Sequence, residues 1–152
     1  MSAKFTFFGE GDKIEVRITQ FENHPVTNRP KGVWVDSTVT VESGAFFGSF
    51  KASLTTDDLV CFRDQLKSTL KSHAGTVIFR SSGGGLSLSI KLNGEGKTSI
   101  SGVAQPKRLP QGVLYFKVDT DIFALIRAFR ELEGAVREFP SEQTGNHEQI
   151  LC

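Results

Sequence analysis

Residue types that mark specialised classes of protein are scarce in this chain. Only two of its 152 residues are cysteine, Cys61 and Cys152, and no Asn-x-Ser/Thr glycosylation site is present. This count is too low for the disulfide framework of a small secreted domain. The three histidines, at positions 24, 73 and 147, lack the spacing that brings two metal ligands to one face of an element. We therefore expect no structural metal, no cofactor and an inert, solvent-facing thiol at Cys61.

Long apolar runs and an excess of one charge are lacking as well. No segment approaches the ~20 apolar residues that cross a bilayer, and charged residues interrupt positions 1–12, where a secretory signal would need an apolar stretch. We expect a cytoplasmic protein that makes no membrane contact. The chain has 18 Lys and Arg residues and 17 Asp and Glu residues. The resulting net charge of +1 disfavours nucleic-acid binding over the whole surface, although it does not exclude a local basic patch.

Phenylalanine, by contrast, is abundant, with thirteen copies beside one tryptophan and one tyrosine. Burying a Phe side chain contributes about 1.5–3 kcal/mol, so this composition is typical of a protein with a large core. The length suits one such core. We predict a single α+β domain over residues 1–139 and a polar, mobile tail over residues 140–152.

Alternation of apolar and polar residues predicts most of the elements. It marks eight strands, at residues 4–8, 13–21, 33–41, 46–54, 76–80, 86–92, 97–103 and 113–118. Two segments instead have the helical period, and they begin at 55–58 and 119–121, where hydroxyl and carboxylate side chains can cap a helix. The first helix is predicted to end at Gly75. The sequence predicts an α+β fold: mostly antiparallel sheet, in one or two sheets, with two amphipathic helices packed on it.

The order of these elements is four strands and a helix, twice. It suggests a ββββα pseudo-repeat in which Thr56-Asp57 and Thr120-Asp121 are equivalent helix starts. The architecture can also form without any duplication, and both interpretations stay open at this point.

Two motifs carry potential chemistry. The stretch 94–98, Gly-Glu-Gly-Lys-Thr, ends like a phosphate-binding loop, but a strand rather than a helix follows it, which favours a hairpin turn. Asp57, Asp58, Asp119 and Asp121 lie at the two helix starts. Helix capping accounts for all four, whereas a hydrolase could use them if the two starts shared a cleft.

Seven residues are candidates for contact with a partner: Trp34, Asp36, Arg63, Lys67, Lys71, Lys107 and Arg108. Trp34 shares the polar face of the third strand with Asp36, and an indole on a polar face is typical of an interface anchor. The three α-helical cations recur every four residues and form a basic ridge, and the other two lie in a proline-flanked loop. Ordinary solvated charge, and an indole covered by a neighbouring element, are the alternatives.

Several segments resemble one family of small bacterial proteins. They are the run 33–59, which contains Phe46-Phe-Gly-Ser-Phe and Thr56-Asp-Asp-Leu, the strand Leu86-Ser-Leu-Ser-Ile, and the helix start Phe116-Lys-Val-Asp-Thr-Asp. Over most of 1–139 the chain is similar to the WapI-type immunity proteins and to related families of unknown function.

The resemblance implies a cytoplasmic bacterial protein, not an enzyme, that binds and neutralises a cognate toxin domain. Such a role needs no catalytic residue and no cofactor. Two other classes stay open: a binding module for a small molecule or nucleic acid, and a hydrolase that uses the helix-start aspartates. The first predicts that the candidate cations gather on one face, and the second predicts converging carboxylates in a cleft.

Overall fold

The computed structural model describes residues 2–22, 32–106 and 112–141 of the chain. These residues form eight strands and two helices, which confirms the predicted α+β fold and its ββββα repeat. The elements of the first unit are β1 Ala3–Phe8, β2 Asp12–Phe21, β3 Trp34–Ser43, β4 Phe46–Thr55 and α1 Thr56–Ser72. Those of the second unit are β5 Gly75–Arg80, β6 Leu86–Leu92, β7 Lys97–Ala104, β8 Leu114–Asp121 and α2 Ile122–Glu138.

Each unit makes its own antiparallel sheet. In sheet A the strand order is β1-β2-β3-β4, and in sheet B it is β5-β6-β7-β8, so every neighbour in a sheet is also a neighbour in sequence. The apolar residues that alternate along the strands face inward in both sheets and form one buried core with the helices. Because the side-chain period of a strand is two, the opposite residues of each strand face outward.

The helices exchange places between the two units. Although α1 follows sheet A, it packs mainly against β5, the first strand of sheet B, while α2 packs mainly against β1. The backbone N–H of Thr6 in β1 donates a hydrogen bond to Glu131 Oε1 in α2 at 3.1 Å. Each helix therefore covers the sheet that it does not follow, and the two units depend on each other for burial.

The two helix starts are equivalent, but the residues that correspond to each other are not the predicted ones. Thr55 closes β4 and caps α1, accepting a hydrogen bond from the N–H of Asp58, and Asp121 closes β8 and caps α2 in the same way through the N–H of Ala124. The predicted pairing of Thr56-Asp57 with Thr120-Asp121 is wrong by two residues. The reason is that the first unit uses a hydroxyl cap and the second a carboxylate cap at the same structural position.

The aromatic residues are divided between core and surface. Phe5, Phe7, Phe62 and Phe79 pack together inside the protein. Four other phenylalanines are exposed: Phe8, Phe46, Phe47 and Phe123. The Phe-rich composition therefore reports the core only in part.

The first helix ends at His73 and not at Gly75. His73 is exposed and has a φ of 60°, the left-handed conformation, and its N–H donates to the carbonyl of Leu70 at 3.3 Å. Gly75 instead begins β5. A residue with a Cβ is strained in the left-handed region, and glycine is not.

Replacing His73 with glycine is therefore expected to raise the free energy of unfolding by about 0.5–1 kcal/mol, because glycine favours this helix-ending conformation. Urea unfolding followed by circular dichroism measures the change. His73→Ala is the control, since it removes the imidazole but keeps the Cβ and should not stabilise the protein. A glycine variant less stable than the alanine variant would contradict the argument.

Candidate functional site

Trp34 and Asp36 lie at the start of β3, beside the start of α1. Trp34 is half-buried and pairs with Thr55 across the sheet. The Asp36 carboxylate accepts a hydrogen bond from Gln20 Nε2 at 2.7 Å, so it is engaged within its own sheet. The neighbouring Val33 exchanges two hydrogen bonds with Thr56 of α1. This region therefore connects sheet A to the helix.

The predicted basic ridge runs along α1. Arg63 is paired with Asp64, with 2.9 Å between Nη2 and Oδ1, and Lys67 and Lys71 are exposed. With a rise of 1.5 Å per residue, the three cations lie roughly 10, 16 and 22 Å from the helix start. Trp34 lies beside the helix start and the three cations extend away from it along α1, so these candidates are spread over the length of the helix. Lys107 and Arg108 lie outside the described residues.

The helix-start aspartates stabilise local structure. Asp58 accepts hydrogen bonds from the N–H of Thr55 at 3.0 Å and from both the N–H and the hydroxyl of Ser82, at 2.9 and 2.6 Å. Asp57 accepts a hydrogen bond from the hydroxyl of Ser141, just beyond α2.

The aspartates at the start of α2, Asp119 and Asp121, lie at the other end of the helix pair. The Asp57–Ser141 contact joins the start of α1 to the end of α2. At the opposite end, Gly75, which follows α1, and Asp121, which begins α2, line the same groove. The helices are thus antiparallel, and a 17-residue helix is about 25 Å long. The aspartates of the two helix starts therefore do not converge in the shared cleft on which the hydrolase alternative depends.

The groove beside the α2 start has a volume of about 980 Å³. The groove is lined by charged residues of both signs, including Lys91, Lys97 and Asp119. Thr98 also lines the groove, but its hydroxyl is buried and has no hydrogen-bond partner among the described residues. Burying an unpaired hydroxyl costs stability, and this one lies on the buried side of β7, together with Ile100.

The remaining motifs have structural roles. Residues 93–96 form the turn between β6 and β7, where Asn93 Oδ1 accepts hydrogen bonds from the N–H groups of Glu95 and Lys97, which confirms the hairpin interpretation. In the described part of the chain, no group of three His, Cys, Asp or Glu residues is arranged to hold a metal ion. No helix within the described ranges is long and apolar enough to cross a membrane.

Cys61 differs from the prediction of an inert, solvent-facing thiol. It is half-buried in α1 and is disulfide-bonded. Disulfides are uncommon in reducing compartments, so this bond is not what the predicted cytoplasmic location leads one to expect.

Two of the three outward rows of sheet A are polar, and the third has Phe8 and Phe47 at its two ends. Glu15 lies between two cations, 3.7 Å from Lys4 and 3.7 Å from Arg17, and Lys13 lies 3.8 Å from Glu42. Exposed ion pairs of this kind contribute little stability, but they partly neutralise the charge of the face.

The outer face of sheet B is different, and none of its residues is among the seven candidates predicted from the sequence. Two neighbouring cross-strand rows form it, and together we call them the sheet B face: Arg80, Ser87, Val103 and Tyr115 in one row, and Ile78, Ser89, Ser101 and Lys117 in the other. Tyr115 is 75% exposed and Ile78 is 54% exposed. The rows line an open groove of about 540 Å³. The signal that could have found this face was the presence of apolar residues at outward positions of β5, β7 and β8.

Two consecutive ββββα units whose helices pack across onto each other's sheets define a two-sheet α+β protein. The chain belongs to the immunity protein WapI-like family, whose model matches residues 5–140. This confirms the resemblance found in the sequence. Among solved structures, the chain is similar to one titled "Structure of the plant transcriptional regulator PBF-2", with a TM-score of 0.41, 16% sequence identity and coverage of 95% of this chain and 91% of that chain. No curated protein matches the chain.

Proposed function

We propose that this protein binds a cognate toxin domain in the bacterial cytoplasm and neutralises it by forming a stoichiometric complex, without catalysis. The observation that carries the proposal is the family match, which spans both ββββα units. The helix-start carboxylates support the non-catalytic part, because Asp58 and Asp121 are occupied with helix capping at separate ends of the helix pair.

Neutralisation by binding requires a rigid surface and a high affinity. The exchange of helices between the two units supports rigidity, since neither sheet can separate without exposing the apolar surface that the other unit's helix covers. A dissociation constant of 1 nM corresponds to about −12 kcal/mol, and a standard interface buries about 800 Å² on each partner. The toxin site should therefore be a surface and not one of the grooves alone.

A small-molecule binding module is the second candidate. The observation that favours it is the groove of about 980 Å³ beside the α2 start, whose lining includes Lys91, Lys97 and Asp119. A small polar ligand held by these charges would be consistent with a binding function that involves no toxin.

The test is co-expression with the adjacent gene in the genome. We expect the neighbouring product to arrest growth when expressed alone, and growth to be restored when this protein is produced with it. The two proteins should then co-purify and elute together in a 1:1 ratio on size exclusion.

Two outcomes would contradict the proposal. Restored growth without a complex, accompanied by a change in the mass of the toxin, would indicate enzymatic detoxification. Growth arrest that persists despite production of folded protein would mean that the protein does not neutralise this toxin.

A further inference from the structure

We propose that the sheet B face is the surface that contacts the toxin, and that an acidic patch on the toxin binds there. This inference rests on the proposed function and adds to it the location of the interface and the charge of the partner surface.

The pseudo-repeat offers an internal comparison between the two outer faces. Tyr115 lies six residues before the α2 cap and Ser49 six residues before the α1 cap, so they occupy equivalent positions on β8 and β4. Their cross-strand partners are Val103 and Thr40 respectively. The first sheet thus has a hydroxyl pair, with 3.5 Å between the oxygens, where the second has an exposed aromatic beside a valine.

The same comparison applies to the second row. Ile78 stands at one end of this row and Lys117 at the other, and the equivalent ends of the sheet A row are Lys4 and Lys51. The isoleucine is 54% exposed, although nothing in the fold requires an apolar residue at an outward position. Exposed aromatic and branched apolar residues grouped on one face are typical of protein-binding surfaces.

Charge determines the kind of partner. The two rows of the sheet B face contain two cations, Arg80 and Lys117, and no acidic residue. Lys117 lies 3.7 Å from Asp119 in the next row, but both side chains are largely exposed, so this pair is weak. Arg80 makes no ion pair with any described residue. The serines between these cations are small and leave the groove open, so carboxylates of a partner can reach both charges.

Two other occupants fit less well. A second copy of the chain packed face to face would bring two more cations and no acidic residue of the two rows against this face, so neither Arg80 nor Lys117 would gain an ion-pair partner there. A nucleic acid would require a track of cations and several aromatic platforms for base stacking, and Tyr115 is the sole aromatic in the two rows. An acidic protein surface uses both the apolar residues and the cations.

The experiment measures binding of the purified toxin domain from the adjacent gene to three variants by surface plasmon resonance. Tyr115→Ala should weaken binding by about 30-fold or more, mainly through faster dissociation, as expected for an aromatic hot spot. Lys117→Glu should slow association by about tenfold at low salt, with a smaller effect at high salt. Lys51→Glu is the matched control, because it makes the same charge change at the equivalent position of sheet A, and it should stay within about twofold of wild type. Urea unfolding verifies that each variant is folded.

The outcomes separate this inference from the proposed function. If wild type binds the toxin and Tyr115→Ala and Lys117→Glu bind equally well, the sheet B face is not the interface, although the proposed function stands. If Trp34→Ala or Lys67→Glu abolishes binding instead, the interface lies at the α1 side and the inference is overturned. Wild-type protein that does not bind the toxin contradicts the proposed function and, with it, this inference.

Two further measurements test the rival occupants directly. Fluorescence anisotropy with an oligothymidylate probe should detect no binding that depends on Tyr115, and light scattering should give the same molar mass for wild type and Tyr115→Ala. Tyr115-dependent binding of the oligonucleotide, with toxin affinity unchanged, would assign the face to nucleic acid. A dimer that dissociates in the Tyr115→Ala variant would assign it to a second copy of the chain.

Discussion

Phe62→Ala is expected to lower the free energy of unfolding by about 3–5 kcal/mol, a large part of the stability of a protein of this size. Phe62 is 1% exposed and lies in α1, and its ring contacts rings from both sheets. The ring centroids lie 5.9 Å from Phe5 and 6.0 Å from Phe7 in β1, and 4.7 Å from Phe79 in β5. Removing the ring leaves a cavity at the junction of the two units, where three other rings cannot all move inward to fill it.

Urea unfolding followed by tryptophan fluorescence and circular dichroism measures the loss, and the two signals should change together. Phe123→Ala is the control, because it removes the same group from a position in α2 that is 76% exposed, and it should change stability by no more than about 0.5 kcal/mol. A loss below about 1 kcal/mol for Phe62→Ala would mean that the aromatic cluster does not hold the units together.

The strands were well predicted from sequence because burial acts on them directly. In β6 the buried residues Leu86, Leu88, Ile90 and Leu92 alternate with half-buried or exposed serines and lysine, so the period of two is unambiguous. The strand order within each sheet follows the order in the chain, since every pairing in the described structure joins sequence neighbours. The local pattern and the chain order together are sufficient for this part of the fold.

The exchange of the helices could not be predicted in the same way. An amphipathic stripe on α1, with Leu59, Phe62 and Leu66 buried, indicates that the helix is covered, but not which sheet covers it. That choice depends on the shape of both sheets together and involves contacts between residues far apart in sequence. The antiparallel arrangement of the helices, which separates the aspartates of the two helix starts, follows from the same long-range packing.

Less of the surface could be predicted from the sequence than of the core, because exposure is a weaker constraint than burial. The interpretation of Trp34 assumed that residues opposite the valines are exposed, whereas the indole is half-buried beside the start of α1. Tyr115 and Ile78 were assigned to strands by their position, and their outward direction follows from the register, which the sequence alone does not fix. Surface residues can vary without loss of the fold, so their pattern carries less information about structure.

Asp58→Ala is expected to lower the free energy of unfolding by about 2–4 kcal/mol, more than the loss of an ordinary helix cap. Its carboxylate closes the capping box with Thr55 and also accepts two hydrogen bonds from Ser82, in the turn that follows β5. The variant thus removes one hydrogen bond of the capping box at the start of α1 and, at the same time, the side-chain connection from Asp58 to Ser82 beyond β5.

Asp121→Ala is the comparison for this prediction, because it removes a side-chain cap from the N-cap position of α2, and Asp121 makes no second contact of this kind among the described residues. It should cost about 1 kcal/mol. Ser82→Ala and the double variant Asp58→Ala/Ser82→Ala complete a cycle measured by urea unfolding, in which the coupling energy isolates the hydrogen bond from the Ser82 hydroxyl to Asp58, because the Ser82 N–H remains in every variant. If Asp58→Ala costs no more than Asp121→Ala and the coupling energy is near zero, then the cap alone accounts for the role of Asp58. A coupling of about 1 kcal/mol or more would mean that one carboxylate both begins the helix and fixes it against the opposite sheet, as the exchange of helices between the units requires.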